Sequence, residues 1–144
     1  MTTLRPLSVS ECERLLRASV FGRLVLPTPR QTEILPVNFA VMGDSVVLRT
    51  APGSLLDRHA DGAPLLLEVD AVDHERWQGW SVVVRGRGER MSEDSLTVAE
   101  RSSPGPPQWA ADRDVWIRLG LSEITGRKLG DGPLVPPATR RTWR

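Results

Sequence analysis

The chain has 144 residues, a formal net charge of +1 and 40% hydrophobic residues. That length suits one domain with a substantial core, and the near-neutral charge leaves no global field favouring nucleic acid or a membrane surface. A lone cysteine, Cys12, excludes an internal disulfide and suits a reducing cytosol, while the absence of tyrosine removes any phenolic acid or base.

All but Lys128 of the 19 basic residues are arginine, which leaves no spare lysine for Schiff-base chemistry. The N-terminus has no apolar leader and no stretch nears the length of a membrane span, so a cytoplasmic location is expected.

In chain order, a first helix is capped by Ser8 or Ser10, with Glu11 or Glu13 closing a capping box. It places Cys12, Leu15 and Leu16 on one apolar face, where Cys12 reads as an inert core thiol. Strands follow over Gly22 to Leu26 and Glu33 to Val41. Met42 to Ser45 makes a tight turn, and Val46 to Arg49 returns as a hairpin. Pro52 to His59 reads as a short helix with Leu55 and Leu56 inward. Leu65 to Val72 and Trp80 to Arg90 are further strands, the second bending at Gly86 and Gly88. Asp73 to Arg76 is a polar turn, which leaves His74 solvated. A weak helix over Ser92 to Glu100, capped by Ser92, precedes a loop at Ser103 to Pro107. Val115 to Glu123 alternates and reads as the last long strand, and Gly130 to Arg144 as an extended tail.

Many strands, few short helices and no βαβ alternation predict a mainly β fold, an antiparallel barrel of Greek-key type, as a single domain over 1–144. Five short segments sharpen this. They are Gly22-Arg23-Leu24-Val25, Leu35-Pro36-Val37-Asn38-Phe39, Leu48-Arg49-Thr50-Ala51-Pro52-Gly53-Ser54, Gly79-Trp80-Ser81-Val82-Val83-Val84-Arg85-Gly86 and Ile124-Thr125-Gly126-Arg127-Lys128. In that order they resemble the pyridoxamine 5'-phosphate oxidase-like family of flavin-binding split β-barrels, over Leu7 to Leu129. The resemblance implies a homodimer of split barrels with two flavin mononucleotide (FMN) sites at the interface, acting on a small organic molecule.

A flavin mononucleotide needs donors for its phosphate, a flat slot for its ring and partners along the pyrimidine edge. Arg49, Thr50 and Ser54 could supply the phosphate donors, and a helix starting near Pro52 would aim free N–H groups at the anion. Alternatively, Thr50 to Ser54 is only a turn and a helix cap. By resemblance, Pro36, Val37 and Asn38 lie against the ring edge, and Trp80 and Ser81 lie near the flavin and the dimer seam; Trp80 also reads as a core aromatic. Arg23 and Arg85 are inward, interface or solvated edge charges, and Glu68 and Asp70 share a strand face where an arginine can pair with them.

One position departs from the family pattern. Relatives commonly carry lysine directly after the Gly-Ser pair to hold the phosphate, and here that position is Leu55. Arg58, one helical turn on, could reach back, or Arg49 could carry more of the load. The departure keeps other readings open: a deazaflavin-dependent reductase, a flavin-less barrel turned to non-redox cyclase-type biosynthesis, or a flavin or haem carrier. Haem would have to use His59 or His74. The same two histidines, far apart and without a cysteine cluster, predict no structural zinc site.

Overall fold

The structure, a computed structural model, describes residues 3–101 and 114–137. The elements in order are β1 (Leu4–Pro6), α1 (Val9–Arg17), β2 (Phe21–Pro27), β3 (Thr32–Met42), β4 (Ser45–Thr50) and α2 (Leu55–His59). Then come β5 (Pro64–Asp73), β6 (Gln78–Met91), a 3-10 turn over Glu93–Ser95, α3 (Val98–Arg101), β7 (Val115–Gly120) and β8 (Glu123–Leu129).

The strands form an eight-stranded sheet in the order β1-β8-β6-β5-β2-β3-β4-β7, and an added β6–β7 pairing closes the ring. Every pairing is antiparallel. The fold is therefore the split barrel that the sequence predicted.

Two long strands make the split by changing partners midway. Residues 32–38 of β3 pair with β2, and residues 39–42 pair with β4. Likewise β6 pairs with β5 up to Arg87 and then with β7 from Gly88 to Met91. Gly88 is required at that crossover, because a Cβ there would run into the Ala60 carbonyl at the end of α2. Among the described residues, closure leaves only β1 and β8 outside the ring, and β1 carries Pro6 where no further described strand needs its missing N–H.

Alternation on the strands fills the interior with Leu24, Leu26, Phe39, Leu48, Leu65, Leu67, Val82, Val84, Ile117 and Leu119, each at most 1% exposed. Helix α1 lies over β8. Ser8 Oγ accepts the Glu11 N–H at 3.1 Å and Glu11 Oε1 accepts the Ser8 N–H at 3.1 Å, a complete capping box. Its face of Cys12, Leu15 and Leu16 is buried, and Gly126 makes room for it, since a Cβ there would stand 2.7 Å from Cys12 Sγ.

Four expectations need correction. The second helix begins at Leu55, with Ser54 as its cap, not near Pro52. The stretch from Ser92 to Glu100 is broken into the 3-10 turn and α3, because Thr97 starts a new helix: its Oγ1 accepts the Glu100 N–H at 3.2 Å. The run from Val115 to Glu123 splits after Gly120 into β7, on β4, and β8, on β6. The bend between them is tied down by the Leu121 N–H, which donates to the Asp44 carbonyl at 3.0 Å. The short edge strand β1 was not foreseen. The loop at Ser103 to Pro107 and the end of the tail lie outside the described residues. The part of the tail that is described returns to the barrel, where Trp80 Nε1 donates to the Val135 carbonyl at 2.7 Å. No helix among the described residues is long and apolar enough to cross a membrane.

Candidate functional site

The point where β3 leaves β2 for β4 opens a cleft. The last β3–β4 pair is Phe39 with Leu48, so Asn38 and Arg49 stand next along on strands that are beginning to part. Helix α2 covers the other side. The resulting cavity, of about 270 Å³, is lined by Leu35, Pro36, Val37, Asn38, Arg49, Thr50, Ser54, Leu55 and Leu56.

The structure thus brings together Pro36, Val37, Asn38, Arg49, Thr50 and Ser54. It does not bring Arg58, Trp80 or Ser81 to them. Arg58 is exposed on α2 and is not among the lining residues. Trp80 is 5% exposed and belongs to the core, with the tail against its indole nitrogen. Ser81 lines a separate cleft of about 730 Å³ with Arg5, Arg85 and Arg127. Within one chain these two residues therefore do not reach the cavity.

At the strand end of the cavity, the Asn38 side chain has a feature that the sequence did not predict. Its Oδ1 is sealed from solvent and has no hydrogen-bond partner among the described residues. A buried acceptor left unpaired is unusual, because it loses its water without replacement. Beside it, the guanidinium carbon of Arg49 stands 4.8 Å from the centre of the Trp116 ring, a distance that suits a cation–π contact. Arg49 is the one charged side chain among the described residues that line the cavity.

At the helix end, the turn from Thr50 to Asp57 is internally bonded. Thr50 Oγ1 and Ser54 Oγ lie 2.7 Å apart, and Ser54 Oγ accepts the Asp57 N–H at 3.2 Å. The Gly53 N–H donates to Asp57 Oδ2 at 2.7 Å. The other oxygen, Asp57 Oδ1, meets Arg90 as an ion pair at 2.6 Å. Gly53 has φ +76°, which only glycine adopts without strain, and this conformation turns its N–H toward the carboxylate. Asp57 and the wall residues Leu35 and Leu56 were missed in the sequence. The Ser-x-x-Asp spacing from Ser54 to Asp57 was a usable signal for a capped helix start.

The residues present fit a flavin at one end only. The unpaired Asn38 Oδ1 suits a ring N–H, and the apolar wall of Leu35, Val37 and Leu56 suits a flat aromatic system. The helix end does not fit a phosphate dianion: Leu55 stands on the wall, and α2 has five residues, too short for a helix dipole of any consequence. The strongly shifted carboxyls lie elsewhere. Glu68, on the outer face of β5, is pushed up to about 7 by burial and by neighbouring Asp70, against the pull of Arg23.

A sequence model of the pyridoxamine 5'-phosphate oxidase family matches residues 8–128. An uncharacterised protein of Mycobacterium tuberculosis is 35% identical over 95 residues, covering 65% of this chain and 83% of its own length. The solved structure of an FAD binding protein from Mycobacterium smegmatis is 32% identical, with a TM-score of 0.66, and the match covers 88% of this chain and 98% of that one. An FAD-binding protein from Mesorhizobium loti shares the fold at a TM-score of 0.69 and 21% identity, over 91% of this chain and 100% of that one.

Proposed function

The chain belongs to the pyridoxamine 5'-phosphate oxidase family, and from that premise we propose that it binds a flavin in the cleft between β3, β4 and α2 and uses it to oxidise or reduce a small organic molecule. The observation that carries the reading is the sealed Oδ1 of Asn38, a residue of the cavity wall, without a partner among the described residues. A ligand N–H at the pyrimidine edge of the ring would satisfy it. Arg49 stands beside it to balance negative charge on the same edge, and Leu35, Val37 and Leu56 exclude water from one face of the ring. When bound, the flavin supplies hydride or electron transfer, and the chain supplies the slot and its polarity.

A cavity of about 270 Å³ is at the low end for a ligand site and is open on one side. We therefore propose that a second copy covers it, in a homodimer in the cytoplasm. Exposed Phe21 and Ile34, on the outer faces of β2 and β3 beside the opening, support that arrangement.

The test is a visible spectrum of the purified protein, followed by titration with riboflavin, FMN and FAD. Bound flavin, lost on Asn38→Leu by about tenfold in affinity, supports the reading. A colourless protein that ignores all three overturns it and favours a cofactor-free pocket, the reading to which Leu55 on the wall lends weight.

A further inference from the structure

We propose that this chain recognises the flavin through its ring and gains almost nothing from the 5'-phosphate, an inference that rests on the flavin reading above. The turn that should cradle the phosphate already has its own anion. Asp57 Oδ2 takes the Gly53 N–H at 2.7 Å, the amide that a phosphate oxygen would need. Three neighbouring amides are also committed: Ser54 N–H to the Ala51 carbonyl, Asp57 N–H to Ser54 Oγ, and Arg58 N–H to the Ser54 carbonyl, which leaves the Leu55 and Leu56 N–H groups at the start of α2 as the amides not so bonded. The Thr50 and Ser54 hydroxyls bond to each other, so one proton of the pair is left for a ligand.

The cations are arranged to the same effect. Arg90, which reaches the turn, is held by Asp57 at 2.6 Å. Leu55 puts an aliphatic side chain on the wall. Arg49 stands at the strand end of the cavity, close to the Trp116 ring. A phosphate dianion that took the Gly53 N–H would have to displace the Asp57 carboxylate from it. A neutral 5'-hydroxyl meets no such obstacle. Like charges at hydrogen-bond distance disfavour the doubly ionised state, and the wall position where a cation could offset the dianion's lost water carries Leu55.

The experiment compares riboflavin with FMN by quenching of their fluorescence. In the wild type the two should bind within about threefold of each other, because no strong charged hydrogen bond distinguishes them. Leu55→Lys should tighten FMN by about tenfold, the worth of one such bond, and leave riboflavin within about threefold. Asp57→Asn, which keeps the shape of the turn, should also shift the preference toward FMN by about threefold or more. It serves as the second variant if the lysine is not tolerated on the wall. FMN binding about tenfold or more tighter than riboflavin in the wild type overturns the proposal but leaves the flavin reading intact. Binding of neither ligand overturns the flavin reading and this inference with it.

Discussion

Two clusters on this barrel have the same inventory, one arginine and two carboxylates, and behave in opposite ways. Arg118 on β7 meets Glu100 through Nε and NH2, both at 2.6 Å, and Glu89 at 3.4 Å. Arg23 on β2 meets Glu68 at 3.2 Å and Asp70 at 3.3 Å, both through the same NH1. Burial works to raise Glu100, but hydrogen bonds from Arg118 and from Thr97 outweigh it, and the group stays ionised below its ordinary range. In the other cluster burial and Asp70 prevail, and Glu68 rises to about 7. The number of charges does not separate the two clusters. Donor geometry does: a two-pronged guanidinium plus a backbone N–H satisfies a carboxylate, whereas one shared prong does not. The first cluster clasps the 93–101 segment to the barrel wall, and the second leaves a titrating group on the outer sheet face.

Breaking the clasp should have the largest effect. Glu100 is 3% exposed, so Glu100→Ala leaves Arg118, 18% exposed, with only the weaker contact to exposed Glu89 at 3.4 Å. The expected loss is about 3 kcal/mol of folding stability, read as a lower midpoint in urea unfolding. A loss under about 1 kcal/mol would place this pair with ordinary surface ion pairs and end the contrast.

How far these features were legible in the sequence depends on how local they are. Period-two alternation put Glu68 and Asp70 on one face and predicted an arginine partner, and the structure identifies it as Arg23. The same rule found the strands around Leu24, Leu67 and Val82. It failed at Gly120 to Ser122, because alternation runs on through a bend that only a change of partner strand reveals. Arg118 and Glu100 are separated by 18 residues and come from different element types, so no spacing rule joins them. At the candidate site, Arg49 was legible as a phosphate donor from its chemistry beside Thr50 and Ser54, and Asn38 only through family resemblance. Their proximity comes from β3 switching sheets, a property of the barrel and not of either segment. The grip of Asp57 on Gly53 was available as a capping pattern, and its consequence for a ligand was not.

The middle-sized effect concerns pH. The folded value of Glu68, about 7, lies above its unfolded value near 4, so the folded state binds that proton more tightly. Its contribution to stability is complete below about pH 4 and is lost as pH rises through about 7. The side chain of Glu68 is 29% exposed and its partners are more exposed, so solvent screening keeps the effect to about 1 kcal/mol or less. Glu68→Gln should flatten thermal stability between pH 6 and 8 relative to wild type. The two proteins differ at this one group, so the difference between the two curves isolates Glu68. Parallel curves would show that the two clusters do not differ in the way their geometry implies.

The smallest effect separates the two causes of the Glu68 shift. Burial is the larger and Asp70 the next, so Asp70→Asn should lower the Glu68 midpoint by about one pH unit without returning it to the ordinary carboxylate range. Arg23→Gln should move it the other way, because the pull of the guanidinium would be gone. Side-chain carboxyl titration by NMR reads both. If Asp70→Asn brought Glu68 all the way down, repulsion alone would explain the shift, and burial on this face would count for nothing. If it left the midpoint unchanged, the two carboxylates would not sense each other across one strand repeat. Arg23 would then serve each of them independently, and the outer cluster would be two weak pairs sharing a donor, not the strained counterpart of the Arg118 clasp.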